Sequence, residues 1–153
     1  LICNFLIVKI QSYPKGAFYL NFTSSKYKSP LQTAISLRHK EVVENLILSQ
    51  ASLYNKTNQT CLVTLMINNN LLDSFKLAIN ERGFDYNEKF RCHIDVLGIS
   101  DDRINFFQYC IIYNKLDFIK FIREYEIRRG YVCEEYFPEL IKFIKKIEYE
   151  NKI

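Results

Sequence analysis

The chain has 153 residues, 48% hydrophobic and 25% charged, with a net charge of +4. That is room for one domain of roughly 100–200 residues and too apolar a chain to stay disordered. With Gly at 4 and Pro at 3 it is neither collagen-like nor loop-dominated. No apolar run approaches the roughly 18–20 residues of a membrane helix; the longest, Leu1 to Ile10, is broken by Asn4 and Lys9. Residues 1–60 hold seven Lys/Arg against two Asp/Glu, residues 61–104 five against seven, and the remainder nine against eight. The basic surplus therefore sits in the first 60 residues. It is too mild for a typical nucleic-acid surface, so a solvated face is expected there.

The first residue is Leu, and no charged start, apolar stretch and cleavage site follow it. This suggests a fragment, or a chain read from an incomplete start. Residues 1–28 are read as a partial unit, with Gly16-Ala17-Phe18-Tyr19-Leu20-Asn21 as the marker that ends it. Over residues 29–54, Ser29 before Pro30 suits an N-cap followed by Pro at the first helical position. A second helix is expected through Val42, Val43, Leu46 and Ile47, with Glu41 near its positive end. Residues 60–87 repeat this with Thr60 as cap and Phe75, Leu77 and Ala78 in the second helix, opened by Asp73. Residues 105–130 repeat it again, with Asn105 as cap, Asp117 as the opening acid, and Phe118, Ile119, Phe121 and Ile122 as the apolar face. The ends of successive units, Asn21, Tyr54 and Asn87, are 33 residues apart each time. The second unit keeps that period with a shorter turn before it and about two extra residues within it.

Between the second and third of these units, residues 88–104 are an inserted β-turn or loop. It contains Cys92-His93-Ile94-Asp95, but adjacent ligands without a second pair do not make a metal site, so none is expected. The five cysteines are odd in number, irregularly spaced and without a CxxC, which favours reduced thiols in a cytoplasmic or nuclear protein. Three N-x-T triplets carry little weight in so Asn-rich a chain. Residues 131–153 place Leu140, Ile141, Ile144 and Ile147 on one face of a helix opened by Pro138, with Lys142, Lys145 and Lys146 opposite. This is a terminal cap, or a basic amphipathic helix lying on a membrane.

At Ser29-Pro30-Leu31-Gln32-Thr33-Ala34, and above all at His39-Lys40-Glu41-Val42-Val43, the chain resembles the ankyrin repeat family. The resemblance covers residues 16–125. It implies an all-α solenoid of stacked antiparallel helix pairs with β-turn or loop connections and partial repeats at both ends, a single domain over 1–153. The family's turn glycine, which needs positive φ, falls on Arg38, on Asn69 or Asn70, and on Asn114; Asn tolerates that conformation and Arg does not. The family's close-approach position falls on Ala34, Leu65 and Cys110, and its His on Gln32, Val63 and Gln108. Leu65 should push its helices apart. Cys110 should be buried and inert.

The family implies partner recognition at turn tips and first helices. Carried over by alignment, these positions are Ser25, Lys26, Lys28, Ser36 and Leu37; Lys56, Thr57, Gln59, Ile67 and Asn68; and Asp101, Asp102, Ile112 and Tyr113. Leu37, Ile67, Ile112 and Tyr113 would form an apolar strip with lysines beside it, as a protein interface requires, unless Ile67 and Ile112 pack inside their own repeats. A protein partner, acidic at the basic end, is expected. Catalysis, a cofactor, a small-molecule substrate and a transmembrane segment are not, because no nucleophile–base pair, phosphate loop or acid dyad is present. Three rivals stand: a regulatory segment of a larger enzyme or channel, a nucleic-acid binder, and a ubiquitin-ligase adaptor. The last rests on Phe137-Pro138-Glu139-Leu140-Ile141, which resembles the short F-box-like element ending many poxvirus ankyrin proteins.

Overall fold

The apolar spacing read from the sequence is realised as short helices joined by tight turns. The computed structural model describes residues 6–7, 9–10, 12, 16–23, 28–54, 61–91 and 103–130. The chain divides into two units, Leu1–Asp85 and Tyr86–Ile153, the boundary falling just before the insertion. The first unit contains α1 (Gly16–Leu20), α2 (Pro30–Ser36), α3 (Lys40–Leu48), α4 (Leu62–Asn68) and α5 (Leu72–Arg82). The second contains β1 (Phe90–Arg91), β2 (Arg103–Ile104), α6 (Phe106–Ile112) and α7 (Leu116–Arg128). Helical residues also occur at Leu6, Ile7, Lys9 and Ile10. The chain is thus mostly helical.

The helix starts follow from side-chain chemistry. Ser29 Oγ accepts the Gln32 N–H at 3.1 Å, and Pro30 occupies the first helical position, where no N–H is needed. Asn105 forms a capping box: its Oδ1 accepts the Gln108 N–H at 2.9 Å, and its own N–H donates to Gln108 Oε1 at 3.0 Å. The N-cap of α4 is Cys61, which makes no side-chain cap bond. Thr60, expected in that role, lies outside the described residues.

The helix ends recur even more closely. Each first helix closes with a left-handed residue, Arg38 (φ 56°), Asn70 (φ 58°) or Asn114 (φ 51°). The next N–H then reaches back five residues: His39 to the Ala34 carbonyl at 3.0 Å, Leu71 to Met66 at 2.9 Å, Lys115 to Cys110 at 2.7 Å. Each second helix is followed by another left-handed residue: Gln50 (φ 66°), Gly83 (φ 59°) or Gly130 (φ 74°). Asn and Gly take this conformation readily, whereas Arg38 and Gln50 adopt it at a cost of roughly 1 kcal/mol each.

In the first unit α2 packs on α3 and on α4, and α5 on α3 and on α4. Leu31, Ile35, Val43, Ile47, Leu62, Met66, Ile67 and Phe75 are all but inaccessible to solvent. Each such side chain contributes about 1.5–3 kcal/mol on burial. Polar ties between the two pairs join residues 31–35 apart. Arg38 Nε donates to Asn69 Oδ1 at 3.1 Å, Lys40 pairs with Asp73, and Arg82 Nη1 donates to the Ile47 and Ala51 carbonyls at 3.0 and 2.9 Å. Ahead of them, Asn21 Oδ1 accepts the Ser52 N–H.

Gly16 to Leu20, within the end marker of the first partial unit, is helix, whereas Gln50 to Tyr54 is not. Within the first unit the second helix pair also departs from the expected spacing: its cap, Cys61, lies 32 residues after Ser29, and α5 recovers a single residue, so that Gly83 follows Gln50 by 33.

The insertion has a built base. The Leu62 N–H donates to the Leu53 carbonyl at 2.7 Å, nine residues back, and the Phe106 N–H to the Tyr86 carbonyl at 3.1 Å, twenty residues back. Between Tyr86 and Phe106, Phe90 pairs with Ile104 and Arg91 with Arg103 in a two-residue antiparallel ladder. The Phe90 ring lies 4.4 Å from Phe106 and 5.7 Å from Tyr109. Cys92, His93 and Asp95, and the C-terminal segment 131–153, lie outside the described residues.

Candidate partner-binding face

The first helices divide cleanly into a packed and an open side. On α2, Leu31, Ala34 and Ile35 are buried at helical spacing, which turns Thr33 and Ser36 outward. Leu37, at the end of the same helix, is 61% exposed. On α4 the packed side is Leu62, Val63, Met66 and Ile67; Thr64, Leu65 and Asn69 are half-buried, and Asn68 is exposed. On α6 it is Phe106, Tyr109 and Cys110, with Ile111, Ile112 and Tyr113 half-buried.

Aligning the three helices on their caps and left-handed residues sets Ala34, Met66 and Cys110 at one position. The close-approach residue of the second pair is therefore Met66, not Leu65, and the residue matching Gln32 and Gln108 is Thr64, not Val63. The same one-residue shift removes Ile67 from the binding strip. Ile67 matches Ile35 and is fully buried. One residue turns a helix by about 100°, so the slip exchanges the inside of α4 for its outside. The positions off the packed side are Ser36, Asn68 and Ile112, then Leu37, Asn69 and Tyr113; Ser36, Leu37 and Asn68 are exposed and the other three half-buried.

In the first unit this brings Ser36, Leu37 and Asn68 to the ends of two helices that pack together, joined by the Arg38–Asn69 hydrogen bond. Asn69 is further held by its Nδ2, which donates to the Leu65 carbonyl at 2.9 Å. Asn69 and Thr33 were not expected on this face. The repeated apolar spacing of Leu31, Ala34, Ile35 and Val63, Met66, Ile67 is the sequence signal that finds them. Lys28, just before the cap, is exposed. In the second unit Ile112 and Tyr113 share the end of α6, where the Tyr113 ring lies 4.5 Å from Tyr109. Ser25, Lys26, Lys56, Thr57, Gln59, Asp101 and Asp102 lie outside the described residues.

The electrostatics of the rest are structural. Hydrogen bonding to Lys40 holds the Asp73 carboxyl below its ordinary range and raises Lys40 in turn. Burial pushes the Cys110 thiol up to about 12, so it is un-ionised and unreactive near neutrality. Burial, reinforced by Glu126, raises Tyr86; its hydroxyl donates to Glu126 Oε1 at 3.3 Å. His39 is the exposed N-cap of α3 and makes no side-chain cap bond. Among the described residues no group of three His, Cys, Asp or Glu is placed to hold a metal ion, and no helix is long and apolar enough to cross a membrane.

No protein-family model matches the chain, and no curated protein or solved structure matches it either.

Proposed function

We propose that this chain is a protein–protein interaction module built of degenerate ankyrin-type repeats. It binds a partner protein through the open ends of its first helices and carries out no catalysis. The observation that carries this reading is Leu37: a large apolar side chain 61% exposed beside exposed Ser36 and Asn68, on helices whose other Leu, Ile, Val and Met side chains are buried or, at Leu65, half-buried. An apolar anchor inside a polar rim is the composition of an interface centre. Tyr113, half-buried at the matching position of α6, gives the second unit an anchor of a residue type enriched in binding hot spots. The recurring left-handed closures and the ties between residues 31–35 apart support the repeat reading. The basic surplus of residues 1–60 favours a partner acidic on that side, associating faster at low salt. Cys61 and Cys110, buried free thiols, suit a reducing cytoplasmic or nuclear setting.

The test is affinity capture followed by titration of the purified partner. Leu37→Asp and Tyr113→Ala should each weaken binding about tenfold or more, roughly 1.4 kcal/mol. Leu48→Asp, at an exposed site on α3, should leave it unchanged. A partner that ignores Leu37→Asp and Tyr113→Ala while responding to Leu48→Asp overturns the assignment.

A further inference from the structure

We draw no further inference here: the strongest candidate, the surface patch of exposed rings formed by Phe18, Tyr19 and Phe22 on and just after α1, carries nothing because nothing in the structure shows what covers it.

Discussion

The two units solve one packing problem with different chemistry. In the first, two helix pairs stand side by side over an aliphatic core, and polar ties hold them: Arg82 on the Ile47 and Ala51 carbonyls, Arg38 on Asn69, Lys40 on Asp73. In the second, the pair α6–α7 is surrounded by rings. Phe90 lies against Phe106 and Tyr109, Tyr109 against Tyr113, Phe121 and Tyr86 against Tyr125, with the Arg129 guanidinium 5.4 Å from the Tyr125 ring centroid. Where a like pair is the neighbour, side chains that repeat at a fixed offset can meet one another. Where an insertion breaks the offset, large aromatic surfaces supply the contact area instead.

The largest effect expected from breaking this arrangement is in the core of the first unit, whose mostly aliphatic side chains surround Phe75. Phe75 is fully buried, and Phe75→Ala should destabilise the first unit by about 3–5 kcal/mol in urea unfolding. Phe106→Ala should cost the second unit a similar amount. A much smaller loss for Phe106→Ala would mean that the ring cluster collapses onto the gap, as a strictly packed core does not.

Next comes the tie that crosses between the pairs. Arg82→Met keeps most of the side-chain volume and removes two charge-assisted hydrogen bonds from the C-terminal end of α3. It should cost about 1.5–3 kcal/mol by the same measurement. Loss of the surface pair by Asp73→Asn should be far smaller and should vanish in high salt, because both side chains are more than half exposed.

The left-handed turns offer a gain. Arg38→Gly should stabilise the first unit by about 0.5 kcal/mol, the relief of roughly 1 kcal/mol at φ 56° less about 0.5 kcal/mol for the exposed hydrogen bond to Asn69. Asn114→Gly in the second unit should change thermal stability by only a few tenths of a kcal/mol, since Asn already tolerates φ 51°. Equal gains at both positions would show that turn strain is not what distinguishes them.

The smallest effect near neutrality is electrostatic, and it separates the units by pH. Tyr86 and Cys110, both in the second unit, are raised above their ordinary values. Their contribution is complete below the unfolded-state values of about 10 and 8.5, and it is lost as pH rises from there toward the folded values. Alkaline unfolding should therefore begin in the second unit, and Tyr86→Phe should delay it. Asp73, lowered in the first unit, contributes above its unfolded value and loses that contribution as pH falls through its folded one. Fluorescence reporters placed in each unit would read the order.

Much of this was legible because local chemistry set it. Ser29-Pro30 and Asn105 with Gln108 mark their own helix starts, and Asn114 marks its own turn. The left-handed Arg38 was legible only through its position in the repeat, against its own preference. The slip at α4 has a physical cause. Cys61 supplies no side-chain cap and Thr60 beside it looks like one, so the start was placed a residue early and Ile67 was turned outward. The buried spacing of Val63, Met66 and Ile67 is the stronger signal, because packing fixes a helix face more firmly than a single cap does. The short ladder that closes the insertion was not legible. Two residues per strand are too few for alternation to register, and the pairing is set by Phe90 finding Phe106 and Tyr109.

The most direct measurement of the central claim is a map of long-range nuclear Overhauser contacts for the chain in solution. The account predicts contacts between the two pairs of the first unit that share an offset of 31–35 residues. Arg38 should meet Asn69, Lys40 should meet Asp73, and the Arg82 guanidinium should meet Ala51. Leu37 should show no long-range contact to its side chain. A contact set without that offset, or one that buries Leu37 and exposes Ile67, would contradict it.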